Sequence, residues 1–387
     1  MLGIGQYFGM VPNEERMQRF AAQIGFERMH AAWDDGALVG GAGAFTFTLT
    51  VPGAELPTAG VSVVGVSPTH RRRGVLRSLM RAQLDDVHER GEPLAALWAS
   101  EETIYGRFGY GLASLCGEIN LAREWTAFTQ PFEPAGRIKL LDPDDVLETL
   151  PPVFDRIRPN WPGMFSRNRL WWEHREIADP EERREGAGPK RWVVYERGSS
   201  IEGYAVYRHK FAFEQGSSTA EVRVLEALGT SAEALRDLWG YLLAIDWVAT
   251  IKADVLPFDH PLFLLLASPR RLRFRLGDAL WVRLVDVGAA LSGRRYSEEG
   301  SIVFDVTDEF CPWNDGRWKL EGGNATRTDE EPDVRLPVQS LGSAYLGGIR
   351  FTSLARAGRV EEMKAGALVR ADRLFTWDRH PWCPEIF

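Results

Sequence analysis

The chain has 387 residues, too many for one ordinary core, so two or three domains are expected. Its 44% apolar and 26% charged content is that of a soluble globular protein. The net charge of −8 disfavours nucleic acid as the main partner, since that calls for a basic face.

From the N-terminus, NEERMQRFAAQIG has helical periodicity from Glu14 and a stop at Gly25. ALVGGAGAFTFTLTV alternates Phe45, Phe47 and Leu49 with polar neighbours, the pattern of a strand, and residues 61–66 form a second one. GVLRSLMRAQLDDVHERG then puts Val75, Leu76, Leu79, Met80, Leu84 and Val87 on one helical face, with Gly91 as the stop. PLAALWAS is short and almost wholly apolar, as a strand buried on both faces should be. Strand, turn, helix and strand make a βαβ unit, so Val61 and Leu94 are expected to begin neighbouring parallel strands. Ser100 starts a short helix carrying Tyr105, and Gly109-Tyr110-Gly111 is expected to close it as a hairpin.

Residues 130–146 are rich in proline, glycine and charge and read as a linker. In the next α/β segment, STAEVRVLEALGTSAEALRDLWGYLLAI repeats strand-then-helix without an arginine-glycine turn, a degenerate copy that has lost an anion site. NWPGMFSRNRLWW, in the same segment, reads as aromatic packing. From Gly288 onward, GSIVFDVTDEF and GRWKLEGG are strands, VQSLGSAYLGGIRFTSLARAG and VEEMKAGALVRADRLF helices, and DEEPDV a solvated loop.

Cys116, Cys311 and Cys383 stand far apart without a CxxC pair, which argues against disulfides or structural zinc and fits a reducing cytoplasm. His70 and His380 have no second ligand nearby in sequence, so no metal is expected. No apolar run approaches the ~18 residues of a membrane span, and MLGIGQYFGM lacks an export pattern, so a cytoplasmic protein without a membrane partner is expected.

VSVVGVSPTHRRRGVLRSLM sets three arginines and a glycine where a strand hands over to a helix. An anion held at the helix start, a nucleic-acid patch and a solvated basic turn compete to explain it. Helix-start amides have no intrahelical acceptor and sit at the positive end of the macrodipole. A glycine lets an anion approach them, and Arg71, Arg72 and Arg73 before Gly74 add charge-assisted bonds. The pattern GxxxxGK[ST] is absent and GGAGAF fails to complete GxGxxG, so nucleotide hydrolysis and nicotinamide binding lose ground. A short helix from Ser100 beside the first would splay two parallel strands and leave a cleft for a cofactor arm.

These two stretches resemble the GNAT acetyltransferases, where an Arg/Gln-x-x-Gly-x-Gly/Ala turn binds the pyrophosphate of acetyl-coenzyme A and YxxxGF marks the next helix. Arg71-Arg72-Arg73-Gly74 matches the first half, with Leu76 in place of the final small residue. VGVSPTHRRRGVLRSLM, ASEETIYGRFGYG, YLGG and a terminal phenylalanine together resemble the Eis-like branch. That resemblance implies an α/β (α+β) chain of two tandem GNAT-like domains and a sterol-carrier-protein-like domain. The catalytic domain would span residues 1–138, a second without a cofactor site 139–287, and the last 288–387. It further implies acetyl-coenzyme A as cosubstrate, a homohexamer, and N-acetylation of aminoglycoside, polyamine or lysine-type amines.

By the same resemblance, Val64, Gly65 and Val66 offer strand backbone to the pantetheine arm. Arg72, Arg73, Gly74, Val75, Leu76 and Arg77 surround the pyrophosphate, and Ser100 and Glu101 lie beside the cofactor. Tyr105 would be the general acid and the terminal carboxylate of Phe387 the general base. A phenol with a pKa of ~10 rests protonated, as an acid for a departing thiolate should. A terminal carboxylate at ~3.5 lies far below an alkyl ammonium at ~10.4, so it either works in a dry, aromatic setting or mainly holds the amine in place. Trp33 and Glu385 are candidate acceptor contacts, with Asp34 and Asp35 as further attractors of a polycation; core packing and solvated charge are their plain alternatives. A rival reading makes the chain a non-catalytic binding protein whose C-terminal domain holds an apolar ligand.

Overall fold

The computed structural model describes residues 14–387, a mixed α/β chain in two compact units. Unit 1 holds the described residues up to Ser114, Trp161–Ser166 and Ala279–Phe387; unit 2 holds Leu115–Asn160 and Arg167–Asp278. The N-terminal stretch read for an export pattern lies outside the described residues.

Unit 1 opens with helix α1 (Glu14–Ile24) and an antiparallel meander of β1 (Met29–Asp34), β2 (Ala37–Val51) and β3 (Ala54–Val66). Helix α2 (Val75–Glu89) follows, burying Met80, Leu84 and Val87, and the chain returns as β4 (Leu94–Trp98) parallel to β3. A parallel return needs such a crossover, and the helix supplies the apolar face that covers the sheet. The short helix α3 (Glu102–Tyr105) leads to β5 (Gly111–Leu112). The expected hairpin at Gly109-Tyr110-Gly111 does not form. Tyr110 turns inward to full burial, and Gly111 pairs instead with Val282 of the strand Leu280–Leu284.

The first sheet runs β1-β2-β3-β4, then Leu280–Leu284, then β5. The second sheet of unit 1 pairs Ser301–Thr307 with Gly316–Glu321 and Val334–Pro337, and helix Ala367–Phe375 packs with it through Phe375 on Phe304. DEEPDV is not wholly solvated. Asp333 is buried, accepts the Val303 N–H at 2.8 Å and pairs with Lys364 and Arg370 at 3.2 Å. A carboxylate so compensated can leave water.

Unit 2 has a seven-stranded sheet whose helix Ala232–Ala244 buries Leu238, Trp239 and Leu242. Part of the stretch read as a linker, Arg137–Leu141, is its edge strand, paired with Arg191–Arg197. An edge position tolerates the exposed Arg137, Lys139 and Leu140 that hid the strand. Two strands pair away from their sequence neighbours: Leu115–Ala122 lies in the sheet of unit 2, and Leu280–Leu284 in that of unit 1. No described helix is long and apolar enough to cross a membrane.

Candidate functional site

The β2–β3 ladder slips between Gly41–Gly65 and Gly43–Ser62, and Val63 inside that bulge has φ +49°. A β-branched residue there is strained, which marks a built feature rather than a loose one. Parallel pairing of β3 with β4 ends at Gly60–Ala96. Beyond it the strands part, and Val64, Gly65 and Val66 border a cleft of about 400 Å3.

The cleft's second wall is the start of α2. Arg72 (φ +60°) and Gly74 (φ +84°) are left-handed, and a side chain at Gly74 would meet nothing within 4 Å. Glycine here serves the backbone conformation and leaves open space in front of it. Among the described residues no side chain caps α2, and its first turn holds no acid. The first helical bond joins Ser78 N–H to the Gly74 carbonyl, so the amides of Val75, Leu76 and Arg77 have no intrahelical acceptor. Arg71, Arg72, Arg77 and Arg107 bring cationic side chains to the lining, against one carboxylate, Glu101. Arg73 is not part of it: it pairs with Asp34 at 3.0 Å, and His70 reaches the same carboxylate at 3.2 Å. Asp34 is thus engaged by the turn while 39% of its side chain stays exposed.

The third wall is α3 and the turn after it, with Ser100, Glu101, Ile104, Tyr105 and Phe108 on the cleft. Tyr105 is 7% exposed and meets Tyr110 edge-on at 6.1 Å. Beneath them the floor is dry. Burial raises the Tyr110 hydroxyl and the Cys311 thiol above their ordinary pKa values, and Arg283 pairs with Asp308 at 2.5 Å, fully enclosed. Phe310 carries the guanidinium groups of Arg77 and Arg81 at 5.2 and 4.1 Å from its ring.

The structure thus gathers Val64, Gly65, Val66, Arg72, Gly74, Val75, Leu76, Arg77, Ser100, Glu101 and Tyr105 around one cleft. It adds Ile104, Arg107 and Phe108, whose i, i+3, i+4 spacing in ETIYGRF was a legible signal of one shared face. Phe387 sets its ring among Phe45, Phe47 and Phe165 at 6.1, 5.3 and 5.3 Å. Glu385 is not surface charge: it is 2% exposed, and its carboxylate accepts the Phe165 N–H at 3.3 Å. Trp33 is 65% exposed at the end of β1, so it is no core residue. Among the described residues no group of three or more His, Cys, Asp or Glu is arranged to hold a metal.

Family models match this chain in three places: an acetyltransferase (GNAT) domain at residues 4–113, another at 163–284, and a sterol carrier protein domain at 287–384. An uncharacterized N-acetyltransferase of Streptomyces coelicolor is 44% identical, covering 98% of this chain and 94% of that protein. The N-acetyltransferase Eis of Mycobacterium tuberculosis is 33% identical, covering 85% of this chain and 81% of Eis. The crystal structure of Eis1 from Mycobacterium abscessus superimposes with a TM-score of 0.87 at 34% identity, covering 100% of this chain and 96% of Eis1. The chain is an Eis-like GNAT N-acetyltransferase. A GCN5-related N-acetyltransferase from Anabaena variabilis, at 18% identity and a TM-score of 0.85, shares the fold of this acetyltransferase across 100% of the chain. The cleft lies where the first GNAT domain contributes its bulged strand and the helix that follows, and Phe310 of the sterol carrier segment braces it in this Eis-like enzyme.

Proposed function

We propose that this acetyltransferase moves the acetyl group of acetyl-coenzyme A to an amine of an aminoglycoside, polyamine or lysine type. In this reading Tyr105 is the general acid and the Phe387 carboxylate the general base or holding group. The observation that carries it is the left-handed Gly74, open to space, at an uncapped helix start on a cleft that Tyr105 also lines.

A diphosphate suits that helix start: bare amides, cationic flanks and no acid in the first turn are what an anion requires. The free edge of Val64, Gly65 and Val66 suits an amide-bearing arm, which can add to a strand edge as a peptide does. When bound, acetyl-coenzyme A supplies an activated thioester. Transfer forms a C–N bond and breaks a C–S bond, so the amine loses a proton and the departing sulfur gains one. The Tyr105 phenol donates to the sulfur and is restored from solvent. The Phe387 carboxylate takes or steadies the amine's proton, and the ring of the same residue is seated against Phe47 and Phe165.

We read residues 1–138 as the catalytic domain, 139–287 as a GNAT-like domain without a cofactor site, and 288–387 as a sterol-carrier-protein-like domain. A rival use of that last segment, an apolar ligand tunnel, meets a filled interior. Phe304, Phe351 and Phe375 pack on one another at 4.9 to 5.8 Å. The resemblance also supports a cytoplasmic homohexamer, which light scattering and fractionation test.

Tyr105→Phe is expected to lower kcat at least ~10²-fold in a coenzyme A release assay, the usual loss for a general acid. Acetyl-coenzyme A should still raise the melting temperature of that variant. Undiminished turnover would remove the role given to Tyr105, and an amine panel then names the acceptor.

A further inference from the structure

Between two stretches of unit 2 the chain returns to unit 1 at Trp161–Ser166. One edge of this segment is hydrogen-bonded to the far half of β2. Gly163 N–H donates to the Thr50 carbonyl at 2.8 Å, Thr50 N–H to Met164 at 2.9 Å, and Ser166 N–H to Thr48 at 2.9 Å. Its other side holds the C-terminal tail. Trp382 N–H donates to the Pro162 carbonyl at 2.8 Å, and the Trp161 indole donates to the His380 carbonyl at 3.0 Å.

The approach of the two backbones is close. Gly163 has φ +101°, and a β-carbon there would lie 2.6 Å from the Trp382 carbonyl oxygen, so only glycine fits. Residues 376–387 form no helix or strand of their own, so contacts such as these bonds set where the last residues run. Phe165 closes the arrangement. Its N–H meets the buried carboxylate of Glu385, and its ring forms one side of the nest around Phe387. From the sheet, the Trp98 indole donates to the Glu385 carbonyl at 2.7 Å, at the end of β4 that leads to Tyr105.

We propose that Trp161–Ser166 is a positioning strap for the C-terminus, with Gly163 and Phe165 fixing where the Phe387 carboxylate stands relative to the acceptor amine. This rests on the reading that the terminal carboxylate acts in catalysis. The strap touches neither substrate; it acts through the tail. The buried Glu385 is then a latch, whose carboxylate grips the strap while its carbonyl grips β4.

Gly163→Ala and Phe165→Ala test it in the full-length enzyme, with Trp161→Phe as a milder variant and Phe165→Leu as the conservative rescue. Acetyl-coenzyme A affinity, read by calorimetry, should stay within about twofold of wild type, because the donor cleft is untouched. With an alkylamine acceptor, kcat near pH 7 should fall at least ~10-fold for Gly163→Ala and Phe165→Ala, and recover for Phe165→Leu. The deficit should narrow as pH approaches the acceptor's own pKa of ~10, where the amine no longer needs a base. A deficit equal at every pH, or a parallel loss of donor affinity, would mean a merely structural role and overturn the strap. A chain lengthened by one glycine separates the two ideas. If lengthening abolishes transfer while the strap variants keep wild-type rates and pH profiles, the strap alone falls. If lengthening changes nothing, the carboxylate reading falls and takes the strap with it.

Discussion

Two regions of this enzyme are built to one plan and differ at one joint. In unit 1, β3 pairs with a parallel neighbour through Thr58–Gly60, bulges near Val63 and hands over to α2. In unit 2, the strand Glu221–Gly229 pairs with a parallel neighbour through Glu221–Val224, bulges between Val224 and Glu226, and hands over to the helix Ala232–Ala244. The joint of unit 1 spans residues 67–74 and leaves the helix start bare. That of unit 2 is Thr230 and Ser231, and its helix start is already occupied. The Ser231 hydroxyl accepts the Ala234 N–H at 3.2 Å. The Glu233 carboxylate is held below its usual pKa, by its own backbone N–H first and the Ser231 hydroxyl second. An internal anion thus sits in one place where the other offers room for an external one. The comparison teaches that a bulged strand before a helix is scaffold; vacancy at the amides makes the site.

The sharpest way to break that lesson is to give unit 1 the feature of unit 2. Gly74→Asp places a carboxylate at the bare helix start and tolerates the left-handed backbone better than most residues. Losing charge-assisted bonds worth ~1.5–3 kcal/mol corresponds to ~10–100-fold in affinity. The KM for acetyl-coenzyme A should rise by about that factor, with the melting temperature nearly unchanged. An unaltered KM would show that the anion binds elsewhere.

This joint was legible in the sequence because its signals are local. The helical face from Val75 to Val87, the glycine and the arginines all lie within one short stretch, and chain connectivity alone brings Ser100 and Tyr105 to its side. Arg73 was the exception: it faces Asp34, a partner no local pattern names. What was not legible is pairing across long separations. Nothing in the sequence of Leu280–Leu284 says that it joins β4 rather than its sequence neighbours. NWPGMFSRNRLWW reads as packing and divides at Ser166, the earlier half against the tail and Arg167 onward in unit 2. Glu385 looks like surface charge near a terminus, and no local pattern names the Phe165 N–H that its buried carboxylate accepts.

A gentler change tests how unit 1 supports its bare helix start. Phe310 is buried under Arg77 and Arg81, and its ring meets Phe108, a cleft residue, at 5.0 Å. Arg77 keeps its exposure while it lies over the ring, and a cation–π contact of that kind is worth ~0.5–1 kcal/mol, so Phe310→Leu should raise the acetyl-coenzyme A KM about 2–5-fold. A truncated thioester without phosphates, such as S-acetyl-N-acetylcysteamine, should lose little, since Arg77 has no phosphate to meet on it. Equal losses with both donors would reduce Phe310 to core packing.

The smallest effect is expected from the opposite exchange, emptying the helix start of unit 2. Ser231→Ala removes a side-chain cap and should cost about 1 kcal/mol of stability, seen in urea unfolding, with kcat and KM unchanged. It should not create a second donor site. The two cations that act on Glu233 at this helix start, Arg197 and Arg236, are tied to Glu202 at 2.6 Å and to Asp237 at 2.9 Å, and the two-residue joint carries no cation. Acetyl-coenzyme A stoichiometry by calorimetry should therefore stay at one per chain even when Ser231→Ala is combined with Glu233→Gln, which removes the internal anion as well. A second binding event would mean that vacancy alone suffices and that the arginines of residues 71–77 are dispensable to the distinction between the two joints.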